Sequence, residues 1–228
     1  MTGSSDAEKV VDLRNHLDLV ADWCGANDGT VLESTKSKDI GTHFEDSLRA
    51  HLNEALELER RGSAASGIDL PHFNVDVKTT RITRPQSSSK IRAFGERLVG
   101  VPYNILLIVY SREDVEGGER YTFENCVYIP KERTGDHRKS VAAAQRIQAY
   151  NDDEISRPEL RTALEDLVSE KSDDVTEIKE TELESMIENP PKPGVITISP
   201  AVQWRFSYTQ MKGEVPEGAD RVYTSERG

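Results

Sequence analysis

Cysteine is scarce in this 228-residue sequence: Cys24 and Cys126 are the two, far apart and in no C-x-x-C pair. That excludes a disulfide framework and a zinc ribbon and fits a reducing cytoplasm. Long apolar runs are missing too. Met1 to Asp6 is small and polar with no apolar stretch behind it, so neither secretion nor membrane insertion is expected. Histidine is rare, and no H-x-x-x-H or Cys/His spacing supports a transition-metal site, so His43, His51 and His72 read as structural or exposed. Positive charge is in deficit, with 29 basic against 41 acidic residues and a net charge of −12. Such a balance argues against a nucleic-acid partner, because phosphate backbones are bound by clustered Lys and Arg.

The deficit is local, however. Residues 1–150 carry 20 basic and 23 acidic side chains, 151–189 carry 4 and 14, and 190–228 carry 5 and 4. Between Lys78 and Arg97 the sign reverses: Lys78, Arg81, Arg84, Lys90, Arg92 and Arg97 are opposed only by Glu96. That run can face phosphate; alone, it reads equally well as a solvated face that offsets nearby acid. An acid-rich surface would also suit a salt-rich cytoplasm, which solubility at low and multimolar KCl tests.

Periodicity places a helix over 6–24, ending near Gly25, then an aperiodic loop to Gly41. A second helix is expected from Thr42 to about Arg60, where Phe44, Leu48, Leu52, Ala55 and Leu56 recur at helical spacing and share an arc with Glu45. Ile68 to Leu70 and Asn74 to Ile82 read as the arms of a hairpin. Ser87 to Val99 reads as a helix, Asn104 to Tyr110 as a buried central strand, and Tyr121 to Ile129 as its antiparallel neighbour. Helices are expected over 138–150, over 157–170 behind a capping box at Ser156 and Glu159, and over 175–188. Val195 to Ile198 reads as a strand, Trp204 to Tyr208 as strand or helix, and the stretch beyond Met211 as a loose tail. Trp23 and Trp204 read as core, and the two cysteines as buried and inert.

The hairpin carries the chemistry. Side chains alternate along a strand, so Val75 and Val77 share one face and Asp76 and Lys78 the other. If the arms pair around His72-Phe73, Asp69 lies opposite Asp76, Leu70 opposite Val75 and Ile68 opposite Val77. Two carboxylates then stand only ~5 Å apart across the strands. Like charges so placed destabilise a sheet, and a divalent cation compensates; Mg²⁺ takes carboxylate and carbonyl oxygens. Asp69, Asp76, the Val77 carbonyl and Glu45 from the second helix are the candidate metal-site groups. Lys78 is placed to hold a phosphate and to orient or deprotonate an attacking water. A second Glu-x-Lys, at Glu177-Ile178-Lys179, falls in an acidic stretch read as helical, where the period would spread its ends on a solvated face.

Glu45, Ile68-Asp69-Leu70, Asp76-Val77-Lys78 and the strand from Asn104 resemble, in order and spacing, the core of the PD-(D/E)xK nuclease superfamily. Ser66-Gly67-Ile68-Asp69-Leu70-Pro71, Asp76-Val77-Lys78-Thr79-Thr80 and Arg84-Pro85-Gln86-Ser87-Ser88 look like a family of type II restriction endonucleases. Lys131-Glu132-Arg133-Thr134 and Gln203-Trp204-Arg205 extend the likeness over residues 40–210. One departure is that Ile68 and Leu70, rather than Pro and Asp, flank the first carboxylate.

The resemblance implies an α/β domain with a mixed sheet flanked by helices, here with additional C-terminal acidic helices. It implies Mg²⁺, hydrolysis leaving a 5′-phosphate, double-stranded DNA as substrate, a homodimer and a companion DNA methyltransferase. Arg81, Arg84, Gln86, Ser87, Lys90, Arg92 and Arg97 are the candidate DNA contacts, although Ser87 reads equally well as a helix cap. A single domain is expected over 1–228: N-terminal helix and loop to 40, catalytic core 41–150, acidic helices and closing strand 151–210, tail 211–228. The rivals are a non-catalytic DNA- or protein-binding module, with 151–189 as its interaction surface, and a repair or junction-resolving nuclease.

Overall fold

The computed structural model describes residues 10–33, 37–58, 68–82, 86–90, 94–168, 177–198, 203–205 and 215–225. Its centre is a strand pair made by the most apolar stretch of the chain. β4 (Asn104–Val115) and β5 (Gly118–Ile129) run antiparallel, with Ile105 opposite Ile129 and Val115 opposite Gly118. β2 (Val75–Arg81) lies parallel to β4 on its other side, Val75 opposite Asn104 and Arg81 opposite Tyr110. A parallel partner demands a long crossover, and the residues between β2 and β4 supply it. The remaining edge of β5 is shared by β1 (Thr30–Leu32) along its first half and β8 (Asp220–Thr224) along its second. The result is a mixed five-stranded sheet in which β2 is an edge strand.

One face is covered by helices and the other by the segment around Val195 and Ile196, and every residue from Ile105 to Tyr110 is buried. Leu106, Ile108 and Tyr110 pack with Val75 and Val77 against α1 (Leu17–Asn27) and α2 (Ser37–Ala55). Ile105, Leu107 and Val109 pack with Val127, Ile129, Val195 and Ile196 on the opposite face. A third cluster joins α3 (Phe94–Leu98), α4 (His137–Asn151), α5 (Arg157–Val168) and α6 (Glu180–Glu188) through Leu98, Ile147, Leu164, Leu183 and Met186. A second, three-stranded antiparallel sheet has the order β3 (Gln86–Lys90), β7 (Gln203–Arg205), β6 (Thr197–Ile198).

Several expectations give way. Among the described residues, the first helix begins with a 3₁₀ turn at Leu13–His16 and runs on to Asn27. The loop before the second helix contains β1, and that helix starts at Ser37 and stops at Ala55. The helix expected over 87–99 is β3 followed by the short α3. The tail expected to be loose returns as β8, whereas the stretch left open as strand or helix has a strand at Gln203–Arg205. Ile178 precedes α6 and is buried, although Glu177 and Lys179 beside it are exposed as expected. Cys24 and Cys126, remote in sequence, meet in one core cluster; burial first, then Cys24, pushes the Cys126 thiol well up.

Aromatic rings lock α1 and α2 onto the sheet. Phe44 of α2 meets Phe123 edge-on at 4.9 Å, Tyr121 at 5.7 Å and Trp23 at 6.2 Å, and Trp23 stacks on Phe123 at 5.4 Å. Asp28, which follows α1, accepts the Phe123 N–H at 2.9 Å, fixing that helix end to β5. Truncating Phe44 to Ala therefore costs about 3–5 kcal/mol of unfolding free energy. Val31→Ala, at a position 43% exposed, stays within about 0.5 kcal/mol. Urea midpoints of the two variants check the contrast.

Candidate active site

The segment before β2 is held by a short, fully bonded turn. Leu70 and Val75 exchange both backbone hydrogen bonds, at 2.9 and 3.3 Å. Pro71–Phe73 forms a 3₁₀ turn that closes on Asn74 in the left-handed region, at φ 52°. Asparagine tolerates that conformation, and its amide donates to the Pro102 carbonyl at 3.1 Å. The loop is thus four residues, longer than a two-residue His-Phe turn, and it places Leu70 opposite Val75 in the expected register. Ile68 to Leu70 is not a full strand: beyond that bridge the first arm leaves the sheet, and a side chain takes over the pairing.

That side chain is Asp69. Its Oδ2 accepts the Val77 N–H at 2.9 Å. The N–H and C=O of one strand residue lie on the same side, so the Val77 carbonyl also faces the open edge where Asp69 sits. The Asp69 and Asp76 carboxyls come within hydrogen-bonding distance of each other. Lys78 closes the group, its Nζ 2.7 Å from Asp76 Oδ2 and 3.8 Å from Asp69 Oδ2. The side chain of Asp76 is 4% exposed, while those of Asp69 and Lys78 are 18% and 21% exposed. The group therefore opens to solvent on the Asp69 and Lys78 side.

Glu45 stands beside this group on α2. It is half-buried, and burial first, then the Asp69 charge, raises its carboxyl above the ordinary glutamate range. The helix passes β2 closely at Gly41: a Cβ there would lie 3.0 Å from the Thr79 hydroxyl and 3.6 Å from Glu45 Oε1. Thr79 is a neighbour that motif reading missed. No sequence signal marked it, because Gly41 reads as the end of a loop and only the structure puts it inside α2.

The basic run disperses. Arg81 ends β2 with Nε and Nη2 buried and, among the described residues, without a hydrogen-bond partner. Arg97 instead donates to the Val168 carbonyl at the C-terminus of α5, at 2.8 Å, away from the carboxylates. Gln86, Ser87 and Lys90 lie in β3, so Ser87 caps no helix. Arg84 and Arg92 lie outside the described residues. His51 binds the Leu19 carbonyl at 3.1 Å, and Trp23 is core, as expected of them.

Among the described residues, no group of three or more His, Cys, Asp or Glu side chains is drawn together as a metal cage. A cage is not what Mg²⁺ needs, since it keeps several waters and is commonly held by one or two carboxylates. The Asp69 and Asp76 pair fits that demand: hard oxygen donors, crowded together, one of them almost wholly buried. Burial, followed by the hydrogen-bonded Asp69 carboxyl, pushes Asp76 up to about 7, while Lys78 pulls it down. Above that value both carboxylates are charged, and a bound cation would offset their repulsion.

Stability should report this. Asp76 ionises near ~3.9 in the unfolded chain and about 7 in the folded one, so stability is lost as pH rises through that window and levels off above it. The metal-free chain is expected to have a higher urea midpoint at pH 5 than at pH 8. Asp76→Asn should remove most of the difference, and Mg²⁺ should raise the wild-type midpoint at pH 8 but not the variant's.

Comparison with known proteins gives two matches. A family model described as type II restriction enzyme NspV matches residues 19–220. A type II restriction enzyme NspV from a Nostoc species is 32% identical over 179 residues, 76% of each chain. No solved structure matches.

Proposed function

This chain belongs to the NspV family of type II restriction enzymes, and we propose that it hydrolyses double-stranded DNA at a specific sequence, with Mg²⁺, at the Asp69, Asp76 and Lys78 edge of β2. The carrying observation is the meeting of those three side chains, Lys78 Nζ 2.7 Å from Asp76 and 3.8 Å from Asp69, beside an open strand edge. On this reading the mixed sheet is a PD-(D/E)xK core. Asp69, Asp76 and the Val77 carbonyl hold the cation, and Glu45 reaches it directly or through a bound water. When bound, Mg²⁺ supplies charge to the phosphoryl oxygens and lowers the pKa of an attacking water.

The protein's own groups do the rest. Lys78 keeps an ammonium where a scissile phosphate would enter, stabilising charge that grows on its oxygens. Asp76, buried behind it, sets the position of Lys78 Nζ. The half-buried Glu45 carboxyl holds a proton more readily than an exposed glutamate, which suits a group that handles the proton of a water. Arg81, with two buried nitrogens unpartnered among the described residues, supplies a positive group further along the same strand for a neighbouring phosphate. Water adds to phosphorus, the 3′ oxygen leaves, and the cut carries a 5′-phosphate.

Cutting both strands at a two-fold-symmetric sequence implies a homodimer. A companion methyltransferase acting on the same sequence would protect the DNA of a cytoplasm that houses such an enzyme. Plasmid or phage DNA incubated with the purified chain and Mg²⁺, across low to multimolar salt, tests the proposal. Discrete fragments are expected, abolished by EDTA, with Lys78→Ala lowering the rate on the order of 10²- to 10³-fold. Intact DNA under every condition, from protein shown to be folded, would leave a non-catalytic binding module as the better reading.

A further inference from the structure

α4 is set apart by what it lacks. Every other α-helix among the described residues carries Asp or Glu: Asp18 on α1, Glu45 on α2, Glu96 on α3, Glu159 on α5 and Glu180 on α6. α4 has none in 15 residues, although 41 of the chain's 228 are acidic. It buries Ser140, Ala143 and Ile147. At about 100° per residue, the opposite side holds Arg138, Ala142, Gln145 and Ala149 in one stripe, with Arg146 on its flank. Arg138, Gln145 and Arg146 are exposed, and the two alanines between them are half-buried.

The polar groups of that stripe are uncommitted. Arg14, Arg49, Arg112, Arg120, Arg157 and Arg161 each pair with a carboxylate. Among the described residues, Arg138 and Arg146 pair with none and Gln145 makes no hydrogen bond. Arg138 and Ala142 border an open hollow of about 630 Å³ that runs to Leu167 of α5 and Thr197 of β6. Asp136 and Asp166 line the same hollow, so the amino groups of bases suit that flank better than phosphate oxygens. The helix also starts on the sheet face that carries Lys78. Lys78 lies opposite Leu107 in the parallel register, Leu107 belongs to the cluster that includes Ile196, and the Ile196 carbonyl accepts the His137 N–H at 2.8 Å.

We propose that α4 is the sequence-reading helix, lying in the major groove of duplex DNA with Arg138 and Gln145 as its specificity-determining residues and Arg146 against a backbone phosphate. That groove is about 12 Å wide and admits an α-helix. Arg138 reads a guanine through O6 and N7, and Gln145 an adenine through N6 and N7. Ala142 and Ala149 let the helix approach closely and offer methyl groups to thymine. A carboxylate on this face would meet the phosphates at a cost, which accounts for the missing acid. The inference rests on the proposed action on duplex DNA, and it adds which residues choose the sequence.

The test separates reading from cutting. Full-length Lys78→Ala protein with Mg²⁺ selects bound molecules from a pool of random duplexes, and the bound pool is sequenced. The same selection follows with Arg138→Ala, Gln145→Ala or Gln145→Glu added, each checked for an unchanged melting temperature. Arg138→Ala is expected to relax one guanine position, its preference falling roughly ten- to a hundred-fold, with affinity for random DNA little altered. Gln145→Glu is the gain-of-change arm, since a carboxylate accepts from the cytosine amino group and should move the preference from adenine to cytosine.

An unchanged motif in all three variants overturns the proposal, as does a pool from which the Lys78→Ala chain selects no motif. So does uniform weakening across sequences with a shallower salt dependence, which marks phosphate contacts at Arg138 instead. If the wild-type chain cuts at one sequence and the motif ignores Arg138 and Gln145, the endonuclease reading stands and the helix is a solvated face. If the wild-type chain cuts nothing while the motif still follows those two residues, the endonuclease reading fails and the reading helix stands.

Discussion

Asp69 and Asp76 stand within hydrogen-bonding distance at the open edge of β2, and two carboxylates held that way repel each other once both are ionised. A marginally stable protein keeps such a pair only where its surroundings determine the positions several times over. Here they do. The Leu70 and Val75 hydrogen bonds fix the turn, seven residues of parallel pairing fix β2 on β4, and the Val77 N–H fixes Asp69 itself. α2 then closes over the face of β2 that carries Val75 and Val77, bringing Glu45 alongside. The crowding is a product of ordinary secondary structure carried to an edge strand whose missing neighbour is replaced by one aspartate.

How much of this could be read beforehand depends on the range of the interactions. Asp76 and Lys78 were legible because a strand alternates with a period of two, and that parity survives a wrong guess about the turn. The turn was counted as the two residues His72 and Phe73; Asn74 in the left-handed region closes a loop of four. Glu45 was legible from the apolar arc of Phe44, Leu48 and Leu52, all now buried against the sheet. Gln86–Lys90 was not, since Gln-Ser-Ser-Ser-Lys has no strong local preference and its partner lies more than a hundred residues away at Gln203–Arg205. β8 was missed for the same reason: a polar, glycine-bearing tail becomes a strand only because half of the β5 edge is left open for it.

The charge pattern changes meaning once folded. The acidic segment reads in sequence as an excess, yet Arg157 and Arg161 of α5 pair with Glu180 of α6, and Arg157 also with Glu184 at 3.4 Å. These pairs are exposed and contribute little individually. What holds α5 and α6 is apolar: Leu160, Leu164, Ile178, Leu183 and Met186 are buried against α3 and α4. The acidic helices are thus part of the packed body, with charge on its outer surface. The basic run is similarly divided. Arg97 serves the end of α5, while Lys78 and Arg81 remain with β2.

Consecutive strands β2 and β3 belong to two different sheets. β2 brings the carboxylate pair and Lys78, and β3 begins four residues after β2 ends, in a separate sheet held at its far side by Gly194 crossing Gly135. Gln86 is eight chain steps from Lys78, which even fully extended limits them to about 28 Å. The second sheet and the Lys78 edge therefore cannot move independently over any large distance. On the proposed reading that constraint matters, because a displacement of even about 1 Å at the reacting phosphate can cost on the order of 10²-fold in rate.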